Sequence, residues 1–225
     1  MYISFEGPEA CGKSTQARLL ADYLEGRGDD VFLTKEPGSP SDPVCQKIRA
    51  LILDQENDID HKAAFFLFLA DRAQHMTKIR EVLARGGHVI SDRSSLSTLV
   101  YYMAGIKEDS LTSSMSKLSP MLSFAQNEVA DICFVCSADY GWCESKLKER
   151  AGTDRIESFD ADFHHRVHGL FSRYVGADLE SPGATGERQY TFPFEPKKAL
   201  KVPSASEHSA KDINTFIIDN LPDLS

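Results

Sequence analysis

Short apolar runs alternate along this chain with longer stretches of helical period. Residues 2–5, 31–34, 88–91, 132–136 and 199–202 read as strands. Between them, apolar positions recur at helical spacing over residues 13–26, 43–53, 61–85, 142–150, 159–175 and 213–221. Strands alternating with helices predict an α/β domain built on a parallel sheet. Glu36-Pro37-Gly38 closes the second strand with a turn, and Gly86-Gly87 stops the long third helix. No internal repeat is present. From about 178 to 196 the chain is rich in Gly, Pro, Ser and Thr and has no period, which reads as a loop or a partly disordered insertion.

Composition narrows the class. A chain of 225 residues, 41% apolar and 26% charged, buries a large core, and residues 1–225 read as one domain rather than two. The longest apolar run, 63–70, is too short to span a bilayer, and no basic and apolar leader precedes the first motif at Gly7. Neither a signal peptide nor a membrane partner is expected. The net charge of −9 argues against a nucleic-acid-coating surface, yet leaves room for a mononucleotide, which needs only a few well-placed cations. The five cysteines are odd in number and scattered, which suggests free thiols in a reducing, cytoplasmic setting. Cys133 and Cys136 form a CxxC, but they lie in an apolar stretch with no second pair at zinc spacing, so they read as part of a buried strand.

The strongest chemical signal is Gly7-Pro8-Glu9-Ala10-Cys11-Gly12-Lys13-Ser14, a full match to G-x-x-x-x-G-K-[ST] between a predicted strand and a predicted helix. Glycines such as Gly7 and Gly12 let backbone N–H groups turn inward around a phosphate, and the helix N-terminus adds a favourable dipole. Lys13 then reaches the β- and γ-phosphates of ATP, Ser14 offers its hydroxyl to Mg²⁺, and Cys11 and Thr15 complete the triphosphate cradle. Cys11, at the mouth of a helix N-terminus, reads either as a reactive thiol or as an inert small residue. The loop does not by itself distinguish a kinase from a nucleotide-binding switch without turnover.

Two further pairs lie in telling places. Phe68 and Arg72 are four apart and share a helix face, where a ring beside a guanidinium can stack a flat base and bond its edge. Phe65 and Phe66 read as core; Phe68 reads as core or as that stacking ring. Asp92-Arg93 follows a short strand, at the carboxyl end where α/β sheets bind ligands.

With these segments the sequence resembles the thymidylate kinase family. Phe5-Glu6-Gly7-Pro8-Glu9 is similar to that family's first strand and loop, and Lys35-Glu36-Pro37-Gly38 to its TREPGG turn. Phe68-Leu69-Ala70-Asp71-Arg72 resembles its F-A-A-D-R run, Asp92-Arg93 its DR[YHS] motif, and Asp154-Arg155-Ile156-Glu157 the DRIE of its bacterial-type lid. The likeness runs in order from residue 1 to about 175.

The resemblance implies a P-loop kinase fold with a five-stranded parallel sheet and a short lid at about 141–157. It also implies ATP-dependent phosphorylation of dTMP, with Mg²⁺ as cofactor. Alternatives are a kinase for dUMP or a 5-substituted dUMP, and a deoxynucleoside kinase. In the implied site Phe68 stacks the base, Arg93 meets the acceptor phosphate, and Arg49 is a second clamp. Glu9 takes the sugar 3′-hydroxyl, Asp92 supports Mg²⁺ through water, and Glu36, Ser97 and Thr98 join the acceptor pocket. Tyr102 stands where the family often has glutamine, and is expected either to read the pyrimidine edge or to pack in the core. Because positions 8–11 of the loop carry no arginine, the lid is expected to supply the cation that phosphoryl transfer needs, from Arg150 and Arg155. A homodimer is the implied assembly.

Overall fold

The computed structural model describes residues 1–107, 111–126, 128–149, 154–176, 196 and 198–222, with backbone alone at 111–116 and 175–176. Five strands, β1 (Tyr2–Glu6), β2 (Val31–Lys35), β3 (His88–Asp92), β4 (Ile132–Val135) and β5 (Lys198–Lys201), form one parallel sheet in the order β2-β3-β1-β4-β5. The five-stranded parallel sheet is as the hydrophobic pattern predicts. β1 sits at its centre, and all five of its residues are buried. The register pairs Phe5 with Asp92, Lys35 with Asp92 and Glu6 with Val135. The carboxyl ends of β1, β2, β3 and β4 therefore finish at one edge, and the residues that follow them meet there.

Helices close both faces. On one side α1 (Lys13–Gly26) and α8 (Ala210–Asp219) pack Leu20, Leu24, Ile213 and Ile217 onto Phe5 and Phe134. On the other, α3 (His61–Ala84), α4 (Ser95–Gly105), α5 (Leu111–Ala125) and α7 (Ala161–Gly176) enclose Phe65, Leu99, Leu122 and Val167. α2 (Pro43–Leu53) starts where Pro43 occupies the first turn and the Asp42 carboxylate accepts from the Val44 and Cys45 amides at 2.7 and 3.2 Å. Asp60 caps α3 in the same way through the Lys62 amide. Past Ala84, Gly86 takes a φ of +84°, which turns the chain from α3 into β3.

Two helices have no counterpart in the sequence reading. α4 is buried on nearly every side, with nine buried residues that include Ser95, Ser97 and Thr98, so it offers no solvent-facing polar stripe to reveal its period. α5 is rich in Ser and Thr and holds Pro120 within it, the composition of a loop. One core assignment is also corrected: Phe66 is 56% exposed, whereas Phe65 is buried. The inward stripe of α3 runs through Phe65, Leu69, Arg72 and Met76, and Phe66 is turned one residue away from it.

The expected lid divides into two parts. α6 (Tyr140–Lys148) begins it, with the Asp139 carboxylate accepting from the Trp142 amide at 3.1 Å. Arg150 lies outside the described residues, as do residues 178–195 of the expected insertion. Asp154 opens a turn, its carboxylate accepting from the Ile156 and Glu157 amides at 2.9 Å each. Arg155 is buried against the end of α2: its Nε donates to the Ile52 carbonyl at 2.7 Å and its amide to the Leu53 carbonyl at 2.9 Å. Its guanidinium also lies 5.5 Å from the Phe159 ring centre. A cation on the last carbonyls of a helix satisfies acceptors that have no intrahelical donor and complements the dipole. Arg155→Ala is therefore expected to lower stability by about 1–3 kcal/mol, since it removes a charged hydrogen bond to a buried carbonyl. A shifted urea midpoint in Arg155→Ala, with a smaller shift in Arg155→Lys, tests this; an unchanged midpoint contradicts it.

Candidate active site

The carboxyl edge of the sheet opens into a cleft of about 600 Å³. Its floor is the loop between β1 and α1. There Ala10 and Gly12 hold left-handed backbone, with φ of 57° and 95°. Gly7, at φ 137°, carries the chain so close to β4 that a Cβ would lie 2.3 Å from the Cys136 carbonyl oxygen. Only glycine fits there. The Lys13 ammonium, buried, donates a short bond to the Pro8 carbonyl and lies 3.7 Å from Cys11 Sγ. Gly12, Lys13, Ser14 and Thr15 face the cleft, whereas Cys11 is buried behind it.

Ser14 donates a short bond from its hydroxyl to Asp92 Oδ2, and Asp92 Oδ1 is buried with no hydrogen-bond partner among the described residues. A hydroxyl and a carboxylate with an unused acceptor fit a hard divalent cation whose other ligands come from phosphate and water. No cluster of three or more potential metal ligands occurs among the described residues, which is compatible with that division of ligands.

Beside the loop, Arg93 binds four groups at once. Its backbone has φ 77°, and its guanidinium donates to Gly7 O (2.9 Å), Ser97 Oγ (2.8 Å), Glu9 Oε1 (2.9 Å) and Tyr101 Oη (3.1 Å). Tyr101 in turn donates a short bond to Glu9. Burial pushes the Glu9 carboxyl up, but Arg93, Lys13 and the Tyr101 hydroxyl outweigh it and hold the group below the usual range. Glu6 shows the opposite balance. Burial raises it despite hydrogen bonds from Ser97 and Ser94, which tie the start of α4 to the end of β1.

Facing this partly exposed cluster is a fully buried pair. Arg72, 1% exposed, meets Glu36 at 2.5 Å and donates to Thr98 Oγ1 at 3.0 Å and to Gln126 Oε1 at 3.5 Å. His75 Nδ1 lies 3.0 Å from the other Glu36 oxygen, and its Nε2 lies 2.8 Å from Thr34 Oγ1. Burial raises the Glu36 carboxyl, Arg72 and His75 lower it, and the net shift is down. Asp71 accepts from the Gly38 amide at 3.0 Å; burial, with Glu36 nearby, pushes it up to about 6. Arg49 reaches the same turn, donating to the Pro37 carbonyl at 2.8 Å. Phe68, half-buried, lines the cleft next to Arg72 and Thr98.

The cleft thus gathers Glu9, Glu36, Arg49, Phe68, Arg72 and Arg93 around the phosphate loop, with Ser97 and Thr98 at its back. Two expected members are not there. Tyr102 packs its ring 4.8 Å from Phe65, outside the main cleft, because the preceding residue on α4, Tyr101, holds the inward position. Arg155 is drawn off to α2, as described above. In their stead the cleft includes Tyr101, Lys35, Trp142 and Lys146. Tyr101 is four residues past Ser97, a helical spacing legible in the sequence. Gln126, at the end of an unrecognised helix, has no such signal.

The comparisons agree with this geometry. A family model described as "Thymidylate kinase" matches residues 5–180. A thymidylate kinase of Clavibacter sepedonicus is 36% identical over 182 residues, covering 80% of this chain and 83% of that protein. One from Desulfovibrio desulfuricans is 37% identical over 176 residues, covering 74% and 78%. In fold, the chain is similar to a crystal structure of thymidylate kinase from Ehrlichia chaffeensis, with a TM-score of 0.69 and 22% identity over 97% of this chain and 96% of that one. A phosphate loop and a buried Arg–Glu pair facing each other across one cleft, with a family match over most of the sequence, place this chain in the thymidylate kinase family.

Proposed function

We propose that this protein transfers the γ-phosphoryl group of ATP to the phosphate of dTMP, giving dTDP and ADP. The observation that carries the reading is that one cleft holds both halves of the reaction: a phosphate loop on one wall, and a wall of Phe68, Arg72 and Thr98 on the other. A nucleotide switch needs only the first half. Phe68 offers a face for a pyrimidine, and Arg72, fixed by Glu36, directs donors at a carbonyl on its edge. Thr98 adds a hydroxyl at the same level. The Glu9 carboxylate accepts from a sugar hydroxyl, and Arg93 and Arg49 hold the acceptor phosphate.

Catalysis in this arrangement is positioning and charge stabilisation, with no protein nucleophile. Lys13 takes the β- and γ-phosphate oxygens in exchange for the Pro8 carbonyl. Ser14 and Asp92 would hold Mg²⁺, which would neutralise charge on the transferred group. Arg150 follows α6 in sequence and is proposed as the lid cation, with Lys146 already in the cleft. A homodimer belongs to the same reading: Val44 and Leu51, seven apart on α2, and Phe66 on α3 are 48%, 46% and 56% exposed, an apolar surface suited to a second copy. Five free, buried thiols support a cytoplasmic setting. Among the described residues no helix is long and apolar enough to cross a membrane.

Coupled ADP-release assays with dTMP, dUMP, dCMP and thymidine test the acceptor. dTMP is expected to lead, and a preference for thymidine would replace this reading with a nucleoside kinase. Lys13→Ala is expected to lower kcat by at least ~10²-fold while the fold survives, the size of one lost electrostatic contact to developing charge. Normal turnover by a folded variant would remove the phosphate loop from the mechanism. Tyr102→Gln is expected to leave the ranking of acceptors unchanged, because Tyr102 lies outside the cleft. Thr98→Ala is expected to narrow the margin of dTMP over dCMP by several-fold, as loss of one hydrogen bond does. A reordered ranking in Tyr102→Gln, with none in Thr98→Ala, would return the reading of the base to Tyr102.

A further inference from the structure

Behind the phosphate loop lies a group of side chains that the transfer reaction does not use. Cys11 and Cys136, each 2% exposed, line a separate cavity of about 150 Å³ with Thr15, Trp142 and Ala205. They belong to one apolar cluster, whereas Cys133 packs in the cluster on the other face of the sheet. The CxxC thus presents its two thiols to opposite faces, and it is Cys11 that stands beside Cys136. Gly7 packs between the loop and β4: a Cβ there would lie 2.9 Å from Cys11 Sγ and 2.3 Å from the Cys136 carbonyl oxygen, so no side chain separates the two segments.

We propose that Cys11 and Cys136 form a redox pair which hydrogen peroxide converts to a disulfide, closing the phosphate loop to ATP. The two sulfurs are prepared for different parts. Burial opposes ionisation of Cys11, but the Cys136 thiol donates to its sulfur, Lys13 Nζ stands 3.7 Å away and Arg93 is near; together they bring it below the usual thiol range. Cys136, as the donor in that bond, is raised well above the usual thiol range. Of the two sulfurs, Cys11 is the one disposed to ionise and Cys136 the one that keeps its proton. The Cys11 thiolate attacks one peroxide oxygen; an S–O bond forms, the O–O bond breaks, and hydroxide leaves and takes a proton to become water. The Cys136 sulfur then attacks the sulfenic sulfur; an S–S bond forms, the S–O bond breaks, and a second water leaves with the Cys136 proton. Two thiols are oxidised and one peroxide is reduced to two waters.

Size and geometry set the consequences. A cavity of about 150 Å³ admits peroxide, which is close to water in size, and is too small for a tripeptide disulfide. A covalent S–S distance of about 2.05 Å replaces a hydrogen-bond contact, drawing the loop toward β4 and taking the thiolate from Lys13. Cys143 shares the cluster, but burial holds its thiol up at about 12.

The experiment treats the purified full chain with hydrogen peroxide. The expected product is about 2 Da lighter, with tandem mass spectra linking Cys11 to Cys136, and kcat/KM for ATP falls at least ~10-fold and returns with dithiothreitol. Cys136→Ala is expected to keep its untreated turnover and to lose no mass; after peroxide its Cys11 carries a dimedone-reactive sulfenic acid. The proposal is overturned if wild type shows no such link, if Cys11 joins Cys143, if glutathione disulfide adds to Cys11 in its place, or if Cys136→Ala is inhibited and recovers as wild type does. Should Cys136→Ala not fold, the peptide link in wild type decides alone. That link is read by mass, so it stands or falls independently of which acceptor the cleft phosphorylates.

Discussion

The Arg93 guanidinium is the interaction on which the rest of the site depends. It sits at the end of β3 and binds the loop carbonyl of Gly7, the Glu9 carboxylate, and Ser97 and Tyr101 of α4. A charge in this position costs several kcal/mol unless every donor is matched, and removing one member of a buried pair costs about 3–5 kcal/mol because the other is left uncompensated. The matching is therefore mutual. Glu9 stays ionised inside the phosphate loop because Arg93 is there, and Arg93 is held against the loop because Glu9 and the Gly7 carbonyl are there. Ser97 serves two masters, giving its proton to Glu6 while accepting from Arg93. The start of α4, the end of β1 and the end of β3 are thereby joined by one continuous chain of hydrogen bonds.

The Arg72–Glu36 pair repeats the logic at the opposite wall with a different result. Here His75 and Thr34 lie behind the carboxylate, so Glu36 is fixed from β2 and from α3 together. Glu36, Thr98 and Gln126 together hold the planar fork of Arg72 in one orientation at the cleft wall. Helical spacing places His75 three residues after Arg72, so the cation and the group that steadies its partner come from one face of α3. Two cations, Arg72 buried and Arg93 partly buried, each with its own carboxylate, thus face one cleft without sharing a counter-ion.

Much of this was legible in the sequence, and the gaps have physical causes. The five strands and the phosphate loop carry local signals: continuous apolar runs, glycines where the backbone is left-handed, and a lysine at the mouth of a helix. Arg72 and Phe68 follow from helical spacing. α4 was not legible because burial on all sides erases the polar stripe that reveals a helix, and α5 because Ser, Thr and Pro120 resemble a loop. Tyr102 shows the limit at single-residue scale. The sequence left Tyr102 either to read the base or to pack in the core, and it packs: one residue on α4 is a rotation of about 100°, enough to give Tyr101 the cleft and Tyr102 the Phe65 ring. Gln126 was invisible for a simpler reason: it meets Arg72 only through tertiary packing.

Arg155 separates what a motif can say from what it cannot. Asp154-Arg155-Ile156-Glu157 marks a segment near the cleft, and Asp154, Ile156 and Glu157 do line it. The arginine between them turns the other way because two carbonyls at the end of α2 lack intrahelical donors: its guanidinium takes the Ile52 carbonyl, its backbone amide takes the Leu53 carbonyl, and the charge complements the helix dipole. For Arg155 to reach a phosphate it would have to leave a bond of 2.7 Å in a buried setting and expose the α2 terminus. Lys146 faces no such cost: it is already in the cleft, with the exposed Glu149 as its partner, and exposed pairs of this kind contribute little and exchange readily. A phosphate competes for a cation most easily where the existing partner is weak. By that criterion Lys146, at the α6 end of the segment, is the cation on this side of the cleft that a phosphate draws away at least cost, while the DRIE arginine anchors the segment's far end to α2.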